Sequence, residues 1–428
     1  MKVLLVGLAG ALASLMANRS IAVFNDAVRP LTPEFVEGRM KRREFFLTTF
    51  GLSFGLVIGF GIPFSLTSPI ILVHSLFLGT DILGAAFPGD PQKKLLEDRK
   101  SLLGAAGATL AGGIYGILLV VGLGKVVDLF ESLPVETGDS MSSLGDPVLF
   151  TFAAFPAIAV AYQYTIKKGI IAISVTIISR ILAELQTVVD PDGIALFVGI
   201  FMLFIFALTE KRDSNGPDNV AALFTERTKR IRSNIFWIAG MGALYGITTH
   251  MAFLMEGPQS LLALSEGKID SAISMTIARA LSFVPLKGMT SLSTGTFVTD
   301  GFGFTATVGL LSSGVIMAAI LGAIVMSLEA LSLSWVAKVF DKFPGIRNAA
   351  DNLRNAMTQV LEIALIVGAM IAANNLMPGI GFLIVISFYL LNETAGRPVV
   401  RMAVGPISVI AIAIIANVLA WTGLYIPS

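Results

Sequence analysis

The stretch Ser271-Ala-Ile-Ser-Met-Thr-Ile-Ala-Arg279-Ala-Leu-Ser-Phe-Val-Pro285-Leu-Lys287-Gly-Met-Thr290-Ser-Leu-Ser-Thr294-Gly-Thr296-Phe-Val-Thr299-Asp300-Gly-Phe-Gly303, apolar from there to Leu331, decides how this chain folds. A helix needs about 20 apolar residues to cross a bilayer. The 61 residues Ser271–Leu331 therefore have room for three crossings, or for one crossing and a re-entrant loop. Pro285, the hydroxyl cluster and the glycines mark where a helix must break. Either count is odd, and the flanking charge requires an odd count.

Composition sets the frame for that argument. The chain has 428 residues, 55 % hydrophobic and 14 % charged, with mean hydropathy +0.81. Ordinary soluble domains carry about 25 % charged residues. A soluble enzyme, a nucleic-acid-binding protein and a disordered chain are excluded, and the expected class is an all-α polytopic membrane protein embedded in a lipid bilayer. The 42 Gly and 18 Pro are tolerated in membrane helices. Net charge is +1 and cysteine is absent, which removes disulfides, thiolate metal sites and Cys nucleophiles. The two histidines, His74 and His250, leave little for a metal site. No Walker loop is present. No cofactor, metal or catalytic residue is expected, only H⁺ or Na⁺ as a coupling ion.

Crossings are expected near Val3–Ala17, Phe45–Phe60, Pro63–Phe87, Leu102–Leu123, Pro147–Tyr164, Gly169–Val188 and Ile194–Leu208. A polar loop, Glu210–Arg232, follows. Then come Ile235–Leu254, the Ser271–Leu331 stretch, Ala356–Asn374, Gly379–Leu391 and Ala403–Leu424. Basic residues cluster in Arg19–Glu44, Gly89–Ser101, Lys167–Lys168, Glu210–Arg232, Ser332–Asn355 and Asn392–Arg401, which together hold 24 of the 30 Lys and Arg. The intervening loops are acidic (Asp128, Glu131, Glu136, Asp139 and Asp146; Asp190 and Asp192; Glu256, Glu266 and Asp270). The positive-inside rule puts all basic loops in the cytoplasm only if Ser271–Leu331 crosses an odd number of times. With three, the expectation is about fourteen spans, seven per half, both termini outside the bacterial inner membrane. Odd halves have opposite orientation, the mark of an inverted repeat: residues 1–209, a cytoplasmic linker 210–233, and residues 234–428. Lys2, the apolar run after it and the small residues Ala13, Ser14 and Ala17 also fit a signal peptide, but Arg19 and the basic loop beyond are the wrong flank for export.

The halves carry a short echo. Pro63-Phe-Ser65-Leu-Thr67-Ser68-Pro69 precedes Thr80-Asp81-Ile-Leu-Gly84; Pro285 precedes Thr290-Ser291-Leu-Ser293-Thr294-Gly-Thr296 and Thr299-Asp300. Backbone freed at such breaks cannot be satisfied by lipid and must line protein or water. Paired interruptions point to a midplane site, so Ser65, Thr67, Ser68, Thr80, Asp81, Thr290, Ser291, Ser293, Thr294, Thr296 and Asp300 are candidate solute ligands. The bland account has each hydroxyl bonded to its own helix. Ionisable groups in the membrane cost about 2.5–3.5 kcal/mol at its centre, which makes Asp81, Asp300 and Glu362 coupling candidates. Arg180 and Glu184, at i and i+4, are expected to neutralise each other. Arg279 requires an acid that the sequence does not name, and Lys287 is expected to snorkel to the cytoplasmic face.

The basic loops hold the densest polar motifs. Asn25, Asp26 and Arg29, with Arg347 and Asp351, and Asn392, Glu393 and Arg397, fit a cytoplasmic gate of cross-loop ion pairs; helix ending and charge anchoring explain most of them as well.

These motifs also carry a resemblance. Ala22-Val-Phe-Asn-Asp-Ala-Val-Arg-Pro30, Arg42-Arg-Glu44, Thr80-Asp-Ile-Leu-Gly84, Glu226-Arg-Thr228 with Arg230-Ile231, Phe283-Val-Pro-Leu286, Arg347-Asn-Ala-Ala-Asp-Asn352 with Arg354-Asn-Ala-Met357, and Asn392-Glu-Thr394 with Gly396-Arg-Pro398 occur in order along nearly the whole chain. Together they make it similar to the YhfT family of predicted bacterial inner-membrane transport proteins. The resemblance implies transport and names neither substrate nor catalytic residue. The expected function is a secondary transporter, a permease for a small polar or anionic solute that works by alternating access, ion-coupled and elevator-type, as a homodimer. The alternatives are a phosphotransferase-type permease component or a channel. An enzyme is not expected, nor a nucleic-acid partner.

Overall fold

The computed structural model describes residues 1–25, 28, 31–36, 38–185, 191–210, 220–298, 302–340 and 343–427. The chain is helical almost throughout. The first half holds α1 (Lys2–Asn18), α2 (Arg42–Leu66), α3 (Val73–Ala86), α4 (Arg99–Glu131), α5 (Phe155–Gln163), α6 (Ile166–Glu184) and α7 (Pro191–Leu208). A basic helix α8 (Val220–Ser233) leads into α9 (Ile235–His250), α10 (Pro258–Ser265), α11 (Ile269–Thr294), α12 (Gly303–Leu311), α13 (Val315–Phe340), α14 (Pro344–Leu376), α15 (Ile380–Thr394) and α16 (Arg401–Trp421). Among the described residues six spans are long and apolar enough to cross a membrane: Arg42–Leu66, Arg99–Glu131, Pro191–Leu208, Val315–Val336, Asn355–Leu376 and Arg401–Trp421. Shorter apolar helices are α1, α3 and α15.

Two close helix contacts set the frame. In α4 a Gly/Ala stripe (Gly104, Ala105, Ala108, Gly112, Gly116) is buried while Leu103, Leu110 and Leu118 face outward. A Cβ on Gly112 would stand 2.3 Å from the Gly10 carbonyl oxygen, and one on Gly10 would stand 2.3 Å from that of Gly112. Small residues let membrane helices approach to backbone contact. The same contact recurs between α9 and α13: a Cβ on Gly242 would meet the Gly322 oxygen at 2.3 Å, and one on Gly322 would meet the Gly242 oxygen at 2.2 Å.

Among the described residues four two-residue strands lie between the helices: β1 (Ala22–Val23), β2 (Ile71–Leu72), β3 (Leu254–Met255) and β4 (Phe297–Val298). They pair in parallel as β1 with β4 and β2 with β3. Each pair joins a strand of the first half to one of the second. Both α1 and α9 end in a left-handed residue before their strand, Ser20 (φ 50°) and Ala252 (φ 53°). The caps match as well. Ser20 N donates to Ala17 O at 3.0 Å and Ile21 N to Met16 O at 2.8 Å; Ala252 N donates to Thr249 O at 2.9 Å and Phe253 N to Thr248 O at 2.8 Å.

The helices fall into two groups. The first comprises α1, α3, α4, α9, α12 and α13; α5, α6, α7, α14, α15 and α16 pack together as the second. α2 leans on α3 and on α16, and α11 on α12 and on α7, so these two helices bridge the groups.

Several boundaries differ from the sequence expectation. Pro63 does not open a crossing: it lies in the last turn of α2, after a π-helical turn Val57–Gly61, and the break falls beyond Leu66. The expected crossing Pro147–Tyr164 is fragmented, with Asp146–Thr151, a 3-10 turn and Phe155–Gln163. Part of the expected polar loop Glu210–Arg232 is the helix α8, which sequence polarity alone concealed.

Candidate functional site

The strand pairs meet at an aromatic core. The Tyr245 ring lies tilted 4.3 Å from Phe302, Phe77 lies 5.3 Å from Phe302, and Phe24 lies 5.4 Å from Phe77 and 5.1 Å from the His74 ring. Around it are two helix starts. Leu72 ends β2 and α3 begins at Val73, inside the protein; β4 similarly leads toward α12 at Gly303.

Asp81 lies in α3, 4 % exposed. Its Oδ2 accepts the backbone N–H of Phe24 at 2.9 Å and of Asn25 at 2.7 Å, just past β1. Asn25 Nδ2 donates to Ser53 Oγ at 2.8 Å. The carboxylate thus ties the end of β1 to α3. Asp300 lies outside the described residues and precedes α12, whereas Asp81 lies well inside α3. The features matched between the described parts of the two halves are the paired strands.

The hydroxyls of the first break are occupied locally. Ser65 Oγ donates to Gly61 O at 2.9 Å, contacts Ser75 Oγ at 2.7 Å and accepts from Leu72 N at 3.0 Å. Thr67 donates to Phe64 O, Ser68 accepts from Ile70 N, and Thr80 donates to Phe77 O. Of the second cluster, Thr296 Oγ1 donates to Ser20 O at 3.4 Å across the halves. Ser291 is fully buried and its hydroxyl has no hydrogen-bond partner among the described residues. The side chains of Thr290, Ser293 and Thr294 lie outside the described set.

Of the expected gate, Asn392 closes its own loop, donating to Val399 O at 2.8 Å and accepting Val399 N at 2.9 Å. Glu393 accepts from Arg397 Nε at 2.9 Å and from Arg401 Nε at 2.8 Å. Glu362, the third coupling candidate, stands 3.8 Å from Arg401. The structure therefore joins Glu362 to the Glu393 cluster, while Asn25 belongs to Asp81. Asp26 and Arg29, and the side chains of Arg347 and Asp351, lie outside the described residues.

Other intramembrane charges found partners that sequence did not name. Arg279 Nε reaches Glu256 Oε1 at 3.2 Å, with Glu256 1 % exposed. Arg180 bonds Glu184 at 3.2 Å, as its spacing foretells, but Asp192 more closely at 2.7 Å. Lys287 does not snorkel. It is buried, bonded to Glu329, and stands 4.8 Å over the Phe297 ring of β4. The legible signal for that pair was an acid, Glu329, inside the apolar run Val315–Val336 and a lysine in the neighbouring crossing.

At the end of this assembly α8 reaches both halves. Arg230 Nη2 donates to Ser20 O at 3.2 Å and Arg227 Nη1 to Leu292 O at 3.4 Å. Burial, with Arg19 nearby, pulls the Arg230 guanidinium below its ordinary value.

Residues 2–425 match the model of the YhfT family, described as a protein of unknown function. The chain is 36 % identical over 444 residues to the uncharacterized protein YhfT of Escherichia coli (strain K12), with 100 % of this chain and 99 % of that protein covered. No solved structure matches. A match of this extent at this identity settles kinship: the chain belongs to the YhfT family.

Proposed function

We propose that this protein is a secondary transporter of a small polar or anionic solute, built from two inverted halves of seven segments. One observation carries the reading: each strand pair is made between the halves in the same way. Phe297 N donates to Ile21 O at 2.9 Å, and Ile71 N donates to Phe253 O at 3.0 Å. A strand following α1 thus pairs with the strand leading to α12, and the strand following α9 pairs with the one leading to α3. The matched glycine contacts and left-handed caps support the same symmetry. Broken elements crossing at the middle of a membrane protein expose helix starts and free backbone where a solute can be held.

The grouping of helices supports an elevator mode. α1, α3, α4, α9, α12 and α13 would carry the site, α5–α7 and α14–α16 would be the scaffold, and α2 and α11 the links. A homodimer through the scaffold fits that mode. With the basic loops inside, the protein sits in the bacterial inner membrane with α8 in the cytoplasm.

The test is uptake into proteoliposomes of a panel of small anions and neutral polar solutes under imposed H⁺ or Na⁺ gradients. Saturable, gradient-driven uptake that is lost in Asp300→Asn at unchanged protein level is expected. Ohmic current would replace this reading with a channel, and uptake needing a soluble phosphocarrier would replace it with a phosphotransferase-type permease. A Cys at Glu136 should react with an impermeant thiol reagent from outside and one at Lys229 should not.

A further inference from the structure

Three arginines from three elements gather at the end of α1: Arg19 at its own cap, Arg42 at the start of α2 and Arg230 on α8. Arg42 Nη2 donates to Gly89 O at 2.7 Å and to Asn18 O at 3.4 Å, and its Nη1 to Gly84 O at 3.3 Å and Ala85 O at 3.4 Å. Arg19 Nη1 donates to Asp90 O at 2.7 Å and its Nη2 to Lys93 O. Arg230 Nη2 donates to Ser20 O at 3.2 Å. The acceptors Asn18 and Ser20 flank Arg19, and Gly89 and Asp90 are consecutive, so the three guanidiniums converge on one patch. Arg19 stands close enough to both others for its charge to oppose theirs.

Capping of helix carbonyls explains where these side chains point. It explains neither their number nor their charge. Among the described residues none of the three has a carboxylate within ion-pair distance. The acids whose charge reaches them are Asp90 and Asp98, and both are engaged. Asp90 Oδ1 accepts Gln92 N at 2.9 Å; Asp98 Oδ2 accepts Ser101 N at 3.1 Å and Ser101 Oγ at 2.6 Å. A guanidinium has five N–H groups. Among the described residues Arg19 makes two hydrogen bonds and Arg230 one, and Arg42 Nε is buried without a partner. All three side chains are partly exposed, so an anion can reach them from solvent.

We propose that Arg19, Arg42 and Arg230 form a binding site for a phosphate group. Guanidinium forks match phosphate oxygens two at a time, and one anion held among three like charges offsets their repulsion. The Phe35 ring, 4.5 Å from the Arg42 guanidinium, holds that group in place. The phosphate comes either from the headgroup of an anionic phospholipid or from a free phosphate compound; the chemistry of the site is the same. Arg42 opens a span long enough to cross a membrane, which places the cluster at headgroup level. The site adjoins the strand crossing at Ser20, whose carbonyl also takes Thr296 Oγ1. Its test reads binding and needs no transport.

The experiment is equilibrium binding to the purified full-length protein, delipidated in a neutral detergent, at fixed ionic strength. The probes are inorganic phosphate and dihexanoyl phosphatidylglycerol, with dihexanoylglycerol as the phosphate-free control. Saturable binding of at least one phosphate probe is expected. Tighter binding of the phosphatidylglycerol assigns the lipid source, and equal or tighter binding of inorganic phosphate assigns the free compound. Arg19→Gln and Arg230→Gln should each weaken binding about tenfold, and Arg19→Lys should weaken it less. Arg42 ties several carbonyls together, so the proposal is tested on Arg19 and Arg230, whose variants should stay monodisperse. The double variant Lys41→Gln with Arg43→Gln removes two exposed charges beside the site and should change affinity about twofold or less, because solvent and salt screen them. Four results would each overturn the proposal: no saturable binding of either phosphate probe, unchanged affinity in both arginine variants, an equal loss in the Lys41 and Arg43 double variant, or dihexanoylglycerol binding as tightly as the phosphatidylglycerol while inorganic phosphate does not bind.

Discussion

The carboxylate of Asp81 accepts the backbone N–H of Asn25 at 2.7 Å and that of Phe24 at 2.9 Å. An acid that sequence marks for coupling therefore has a structural role, holding the end of β1 against α3. Hydrogen bonds to a charged group contribute about 1.5–3 kcal/mol, and the loss is larger when donors are left buried without a partner. Asp81→Asn keeps the shape and loses the charge. Its thermal midpoint in detergent should fall by an amount matching about 2 kcal/mol. A variant as stable as the parent would mean that the backbone donors find other acceptors.

Gly10 and Gly112 touch backbone to backbone, and so do Gly242 and Gly322. A methyl group at any of these positions has no space, and overpacking costs about 1–3 kcal/mol. Gly112→Ala and Gly322→Ala should each lower stability by a similar amount. Gly122→Ala, where nothing lies within 4 Å of the added Cβ, should be neutral or slightly stabilising in its helix. Unequal losses at Gly112 and Gly322 would argue against equivalent packing in the two halves.

Glu256 and Arg279 form a pair in which the acid is 1 % exposed. Removing one partner of a buried pair costs about 3–5 kcal/mol, whereas replacing both with apolar residues is nearly neutral. Glu256→Leu and Arg279→Met alone should reduce the folded yield sharply, and the double variant should recover most of it. A double-mutant cycle on thermal midpoints measures the coupling, and additive losses would show that the two charges act separately.

Arg230 binds the carbonyl of Ser20, at the left-handed turn before β1. Arg230→Ala removes a donor that ties α8 to that turn. Amide exchange across Val220–Ser233 should quicken severalfold while exchange in α1 changes little. Unchanged exchange in α8 would place its attachment elsewhere.

Much of this protein is written in its residue pattern. Apolar runs separated by basic or acidic loops gave the helical membrane class and most helix positions, because lipid requires each crossing to be long, apolar and internally hydrogen-bonded. Breaks were legible near Ser65–Pro69 and Thr290–Gly303, where proline or glycine falls among hydroxyl residues, but the break expected at Pro285 is absent, because helix α11 runs continuously through it from Ile269 to Thr294. Family membership was legible in ordered motifs such as Phe24-Asn-Asp and Asn392-Glu-Thr.

What the pattern could not say is which pieces meet. A two-residue strand such as Ile71–Leu72 has no periodicity to read, yet its pairing with Leu254–Met255 organises the centre. Arg279 needed an acid, and of several in the sequence only the packed chain selects Glu256. Lys287 could have reached for the membrane surface; tertiary packing turned it inward to Glu329 instead. A single chain fixes the cost of burying each charge, but a charge is neutralised by a neighbour in space, and the neighbour is chosen by the fold.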